Sequence, residues 1–382
     1  MDHSESRLIY LDHNATTPVD KSAAEVMTLF ITGEFGNPSS GYSLGITAKN
    51  AVENARQEAA SLIGCNSSEL IFTSGGSESN NMVLKGAVDF SNPGKSHIIT
   101  SAIEHPAIIN PLLYLMEQGA EVTFLPVDSH GMVNPDDVKN AIRRETSLIS
   151  IMLANNETGT IQPVREISKI AKERSVPVHT DAAQAVGKIP VNVRDLGVDF
   201  LSIAGHKLYG PKGVGALFIR EGVSITPLIH GAGQEHGRRA GTENVILAAG
   251  LGAAAKTAQE RMTDEYKRVK GLRDRLQELL LSGIDELVLN GHPEKRLPNT
   301  LNVSIPKIDG GKLLEGLDNI AASTGAACHD RSVKLSHVLS AMGVTPETGM
   351  GTLRLTLGRL NDLEQIETAA GQIITAANKM RQ

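Results

Sequence analysis

Residues 176–219 read VPVHTDAAQAVGKIPVNVRDLGVDFLSIAGHKLYGPKGVGALFI, and three apolar runs inside them, VPVHTDA, DFLSIA and VGALFI, decide the fold. Each run is short, rich in β-branched residues and too apolar to leave one face in water, the pattern of strands covered on both sides. Toward the N terminus the same texture recurs in ELIF, HIITSA, VTFLPV and LISIMLA, with amphipathic helical segments such as NPDDVKNAIRR and VREISKIAKER between them. Such alternation predicts an α/β unit whose mostly parallel sheet is covered by helices. Near residue 250 the texture changes. A long helical stretch with a bend expected near Gly271 leads into LVLN, TLNVSIP, GGKLLEGLDNI, GTLRLTL and a final helix over 361–380, which predicts a smaller α+β domain. A chain of 382 residues is too long for a single core. The expected division is a large domain over 12–255 and a small one made of 1–11 and 256–382.

Composition narrows the function. The net charge of -6 comes without any basic cluster, so a nucleic-acid footprint is not expected. The opening MDHSESRLIYLDHN is polar, and no later run is long and apolar enough for a membrane span, so a cytoplasmic, membrane-free protein is expected. The two cysteines, Cys65 and Cys328, lie too far apart in sequence for a CxxC pair, and no metal site is expected. Cys65, between a helix and a strand, reads as a small packing residue. Cys328 lies in AASTGAACHDRSVKLSH, residues 321–337, and these residues alone leave it either a surface thiol or a reacting group.

In an open parallel sheet, ligands bind beyond the carboxyl ends of the strands. After ELIF come Gly75, Gly76, Ser77 and a helix start, which offer free N–H groups and a hydroxyl to a phosphate; taken alone they fit an ordinary helix cap as well. The other runs deliver His105, then Asn155 and Asn156, then Asp181 and Gln184, then His206 and Lys207. An aspartate on a core strand needs a cationic or donor partner. A protonated pyridine nitrogen is such a partner, and Lys207 is then placed to bond to an aldehyde if its amine is held unprotonated. Together these groups describe pyridoxal 5'-phosphate better than any nucleotide.

Eight stretches carry a resemblance to a known family: YLDHNATTP (10–18), FGNPSS (35–40), FTSGGSESNN (72–81), ANNETG (154–159), HTDAAQAVGK (179–188), GHKLYGPKGVGAL (205–217), RRAGTEN (238–244) and RLTLGR (354–359). In this order they resemble the cysteine desulfurases and the related selenocysteine lyases, in the class-V aminotransferase group of fold-type I pyridoxal-phosphate enzymes. The resemblance implies a large domain with a mostly parallel seven-stranded sheet, and conversion of L-cysteine to L-alanine with the sulfur passed to Cys328 as a persulfide. It makes Lys207 the lysine that carries the cofactor, Asp181 the partner of the ring nitrogen and Gln184 the donor to the ring hydroxyl oxygen. It puts His105 on the ring face with a part in proton transfer, Gly76, Ser77 and His206 at the phosphate, and Asn155 and Arg354 at the substrate carboxylate. Thr242 matches a phosphate ligand that comes from a neighbouring subunit, which implies an obligate homodimer.

The cysteine segment, about 321–337, matches a long mobile loop that delivers sulfur to a separate acceptor protein or scaffold, as in iron-sulfur cluster assembly or thiolation. Within it His329 and Arg331 either raise the thiolate fraction or simply face water. Tyr42, Ala204 and the sequence GAACH depart from the usual desulfurase pattern, and Tyr42 and GAACH lean toward the selenocysteine lyases. A lyase releasing selenium from L-selenocysteine is therefore the alternative expectation.

Overall fold

The computed structural model describes residues 8–88, 96–324, 326–329 and 332–381, and leaves out the side chains of 326–329 and 332–334. All seven apolar runs are strands of one sheet. They are β2 (Leu70–Thr73), β3 (His97–Ser101), β4 (Glu121–Leu125), β5 (Thr146–Ser150), β6 (Val178–Asp181), β7 (Phe200–Ala204) and β8 (Gly215–Ile219), following a two-residue β1 (Ile9–Tyr10). The order across the sheet is β2-β8-β7-β6-β5-β3-β4. Only β8 runs against its neighbours, so the sheet is mostly parallel, as the sequence predicts. Residues of β2, β3, β5, β6, β7 and β8 are buried throughout, in keeping with apolar runs that alternate with helices.

This register gathers the functional loops. Thr73, Gly215 and Ala204 lie side by side where β2 ends, β8 begins and β7 ends. The turn after β2 therefore folds over the start of β8, next to the chain leaving β7. Contact is close enough to exclude a side chain: a Cβ on Gly215 would lie 2.4 Å from the Ile203 carbonyl oxygen and 2.7 Å from Gly75 Cα. Gly75, at φ 151°, then leads directly into the helix Gly76–Gly86. The end of β2 is also held from below. The buried Glu235 carboxylate accepts hydrogen bonds from Phe72 N at 2.9 Å and from the Arg56 guanidinium at 2.5 and 3.0 Å, which ties the segment before Thr242 to the sheet edge.

A second core is built around a four-stranded antiparallel sheet, ordered β12-β15-β10-β9: β9 is Val288–Asn290, β10 Thr300–Ser304, β12 Ser323–Thr324 and β15 Thr352–Thr356. Leu276 and Leu280 from the long helix and Ile366 and Ile373 from the helix Leu363–Met380 pack on Leu301, Val303, Leu353 and Leu355. The long helix, Val245–Gly283, runs without a break through Gly271, where the sequence suggests a bend. Burial of Leu272, Leu276 and Leu280 outweighs the cost of about 1 kcal/mol for one helical glycine. β1 pairs in parallel with β11 (Ile320–Ala321), so the N-terminal strand joins this second core.

The segment expected to be an open loop carries paired backbone: β13 (Ala326–His329) runs antiparallel to β14 (Ser332–Leu335), with Cys328 opposite Val333. Main-chain hydrogen bonds make this ribbon, and no side-chain alternation in HDRSVK announces it. Among the described residues no helix is long and apolar enough to cross a membrane, and no group of His, Cys, Asp and Glu could hold a metal.

Gly215→Ala tests the close approach of the two loops. Its Cβ would meet backbone that has no side-chain freedom to give, so an unfolding free energy lower by about 3 kcal/mol is expected in denaturant titration. Loss of bound cofactor should accompany it, because Gly75 and Ser77 are displaced together.

Candidate active site

The carboxyl edge of the large sheet and Arg354 of β15 enclose a cavity of about 410 Å³. Its wall includes Gly76, Ser77, His105, Asp181, Gln184, His206, Lys207 and Arg354. Eight residues read from sequence thus meet in one place.

Asp181 ends β6 and is only 8% exposed. Its carboxylate accepts from Ala183 N at 2.9 Å and from Asn80 Nδ2 at 2.7 Å, while no salt bridge reaches it among the described residues. A buried carboxylate oriented by two neutral donors and lacking a cation fits a protonated pyridine nitrogen. Ser77 sits in the first turn of the helix Gly76–Gly86, where free backbone N–H groups favour a phosphate. A Cβ on Gly76 would lie 3.5 Å from Ala204 Cβ, so the floor beside this turn is apolar at Ala204.

Lys207 follows β7 on a short 3-10 turn, and its Nζ donates to the carbonyls of Asn14 and Ala15, each at 2.6 Å. Burial and then the Arg354 cation lower its pKa to about 8, against the opposing pull of Asp12 and Asp181. The amine is therefore substantially neutral at mildly alkaline pH, as bonding to an aldehyde requires. His206, whose Nδ1 lies 3.1 Å from Thr16 Oγ1, is pushed down to about 4 by burial and by Lys207 and stays uncharged at neutral pH.

His105 is the N-cap of the helix Pro106–Glu117, and its Nδ1 accepts from Ala107 N at 3.0 Å. Desolvation within the cavity holds it below its usual pKa despite Asp181. In the neutral ring the proton is therefore on Nε2.

Arg354 donates through Nη2 to Asp12 Oδ1 at 2.8 Å and to Ser323 Oγ at 3.0 Å. The side chain also lines the cavity, where its planar fork suits an incoming carboxylate. Asn155, expected beside it, is fully buried next to the cavity wall. Its Oδ1 accepts from the N–H groups of Glu157 and Thr158, and its Nδ2 donates to the Ile103 carbonyl, which shapes the turn. Asn156 stands on the wall itself.

Thr242 lies in a separate cleft with Ser74, Glu235 and Arg239, away from the Lys207 cavity of its own chain. The side chain of Cys328 is outside the described residues, as are those of His329 and Arg331. The chain on either side of it is tied to the cavity rim: Ser323 Oγ donates to Asp12 Oδ2 at 2.8 Å, and Ser336 Oγ donates to Glu157 Oε2 at 2.6 Å. Cys65 is half-buried against the large core, and burial pushes its thiol up to about 12, in keeping with a packing role.

Several contributors escape a reading by residue type. Asn14 belongs to YLDHNATTP yet looks like any loop amide; in the structure its carbonyl receives both Lys207 Nζ and Gln184 Nε2, the latter at 2.9 Å. Asp12 and Asn80 are equally unmarked. A neutral amide has no periodicity, and only its place in the quoted motifs could have drawn attention to it.

Sheet order and cavity together define a fold-type I pyridoxal-phosphate enzyme. The class-V aminotransferase family profile matches residues 9–368, and the chain belongs to that family, whose cofactor is pyridoxal 5'-phosphate. It is 49% identical over 381 residues to a protein named cysteine desulfurase IscS from Methanosarcina thermophila, covering 99% of this chain and 94% of the relative. Among solved structures, one titled as a NifS-like protein superposes with a TM-score of 0.91 at 39% identity, over 97% of this chain and all of its own. Another, SspA in complex with cysteine, gives 0.80 at 36% identity, over 91% and 98%.

The lowered pKa of Lys207 has a direct chemical readout. In cofactor-free protein an amine-directed reagent should modify Lys207 half-maximally near pH 8, while exposed lysines follow at about pH 10.4. Peptide mass spectrometry across pH 6.5–10.5, in roughly half-unit steps, checks this; a Lys207 profile that coincides with the exposed lysines would show that burial does not tune the amine.

Proposed function

We propose that this chain is a pyridoxal-phosphate-dependent cysteine desulfurase that converts L-cysteine to L-alanine and transfers the sulfur to Cys328. The observation that carries this reading is the convergence of Asp181, Lys207 and Arg354 on one cavity, in a chain so close to a named desulfurase over nearly its whole length. The solved relative bound to cysteine supports the substrate.

In this reading Lys207 holds the cofactor, Asp181 faces its ring nitrogen, Gln184 its ring oxygen and His105 its ring face. Gly76, Ser77 and His206 hold the phosphate on this side. Arg354 grips the substrate carboxylate, with Asn155 as the second group and Asn156 beside it on the cavity wall. Bound pyridoxal phosphate supplies an electron sink for the pair left when the substrate Cα–H bond breaks. Lys207, once its amine is free, accepts that proton at Nζ, and His105 Nε2–H is a second proton carrier at the cavity. The Cys328 thiolate attacks the substrate sulfur, so an S–S bond forms as the Cβ–S bond breaks. The electron pair of the broken bond stays with the three-carbon fragment, which gains a proton and leaves as alanine. No external oxidant is needed, because the persulfide keeps the sulfur at the oxidation level the transfer creates.

The division into 12–255 and 1–11 with 256–382 puts Lys207 and Asp181 on one unit and Cys328 and Arg354 on the other, so relative movement of the two would bring thiol and substrate together. We further propose a homodimer in which Thr242 completes the partner's phosphate site. Exposed Leu29, Ile31, Phe35, Tyr42 and Ile46 support a subunit interface on the N-terminal stretch. The persulfide is then passed to a protein acceptor in the cytoplasm, for iron-sulfur cluster assembly or thiolation.

Cys328→Ala is the direct test. Sulfide release from L-cysteine should fall by roughly a thousandfold while cofactor absorbance persists. Unchanged turnover would indicate aminotransfer on the same fold. Side-by-side turnover of L-cysteine and L-selenocysteine separates the lyase alternative, and activity confined to the selenium substrate would overturn the desulfurase reading.

A further inference from the structure

Lys188 is half-buried beside a small chamber behind the cavity wall, and none of the roles above uses it. Its Nζ donates to Gln184 Oε1 at 2.7 Å and to Asn14 Oδ1 at 3.0 Å. No salt bridge involves it among the described residues. The charged groups that act on it are Lys207 and Arg354, both cations, and burial with these neighbours holds its pKa well below the usual lysine value. The chamber adds His13, whose two ring nitrogens are buried without partners, together with Glu265 and Arg359. A basic side chain held among cations and with no carboxylate bonded to it calls for a reason other than ion pairing.

Its two contacts supply one. A primary amide presents an oxygen on one side and an N–H pair on the other, and nothing intrinsic to glutamine chooses between the two orientations. Lysine only donates while protonated, and a neutral amine with two N–H groups still donates twice, the number of acceptors found here. Gln184 Oε1 is thereby committed to Lys188, and Gln184 Nε2 is turned to the opposite side, where it donates to the Asn14 carbonyl at the cavity. The same amine commits Asn14 Oδ1, seconded by Asn299 Nδ2 at 3.0 Å. Asn14 Nδ2 is then left to donate to the Asn156 carbonyl at 3.1 Å and to Thr300 Oγ1 at 2.9 Å.

We propose that Lys188 is a positioning residue that fixes the polarity of two amides, so that Gln184 presents an N–H donor to the cofactor ring oxygen. This rests on the cofactor reading of Gln184 given above. Lys188 touches neither substrate nor cofactor and acts through Gln184.

A double-mutant cycle on cofactor affinity tests it, with equilibrium dialysis of pyridoxal 5'-phosphate against the cofactor-free full chain at fixed pH. Lys188→Met and Gln184→Ala should each weaken binding about tenfold, and the double variant should also lose about tenfold rather than a hundredfold, because both changes remove one interaction. The visible absorbance band of the bound cofactor should move in the same direction in both single variants. Lys188→Gln, a neutral donor, should recover binding to within about twofold of wild type, and it carries the cycle if the methionine variant does not fold. Losses that multiply in the double variant, or a Lys188→Met protein that binds like wild type beside a weakened Gln184→Ala, would overturn the proposal. If Gln184→Ala alone leaves affinity and band unchanged, the cofactor reading of Gln184 fails and the inference falls with it, an outcome distinct from the other two.

Discussion

Asn14 is the constraint on which the site depends. Its carbonyl receives Lys207 and Gln184, its amide oxygen receives Lys188 and Asn299, and its amide N–H groups reach Asn156 and Thr300. Its backbone N–H in turn donates to Thr356 Oγ1 at 2.9 Å. One residue thus joins the lysine turn after β7, the turn after β6, the Asn155–Thr158 turn and two strands of the second sheet. Each bond alone is worth about 1 kcal/mol, but a buried network is costly to leave half-satisfied, so its members hold or fail together.

The electrostatics follow from the same crowding. Lys207, Lys188 and Arg354 share a small, poorly hydrated volume with Asp12 and Asp181. Three cations and two carboxylates leave an excess of positive charge, and this crowding lowers the pKa of both lysines, whereas arginine keeps its proton. Asp12 meets Arg354 directly, and this contact limits how far the guanidinium depresses Lys207. A cavity poised in this way favours ligands that arrive with negative charge, such as a phosphate ester and an amino-acid carboxylate.

Much of this was legible before any coordinates. Seven apolar runs were enough for the large sheet because strands buried on both faces have little freedom to look like anything else. The carboxyl-edge rule then brought Asp181, His206, Lys207 and His105 together. Asn155 and Asn156 show where such reading stops. Both lie on one tight turn, and how each is presented depends on hydrogen bonds to the backbone of Glu157 and Thr158 that leave no trace in composition. Cys328 shows a second limit, since its pairing with Val333 is a matter of main-chain register in a segment without apolar alternation. Asn14 shows a third: its contacts come from partners distant in sequence, with Thr300 separated from it by 286 positions.

The parallel pairing of β1 with β11 has a consequence for how the protein is made. Ile9 and Tyr10 are synthesised long before their strand partners Ile320 and Ala321. Asn14 and Ala15, which hold the Lys207 amine, likewise await contacts from Thr300 and Thr356. Contacts of such long sequence separation form late, after the helices and neighbouring strands of the large sheet. A nascent chain can therefore build the sheet that bears Lys207 well before it can enclose that lysine. Enclosure of that lysine waits for Thr300 and Thr356 to be made, and cofactor capture waits with it.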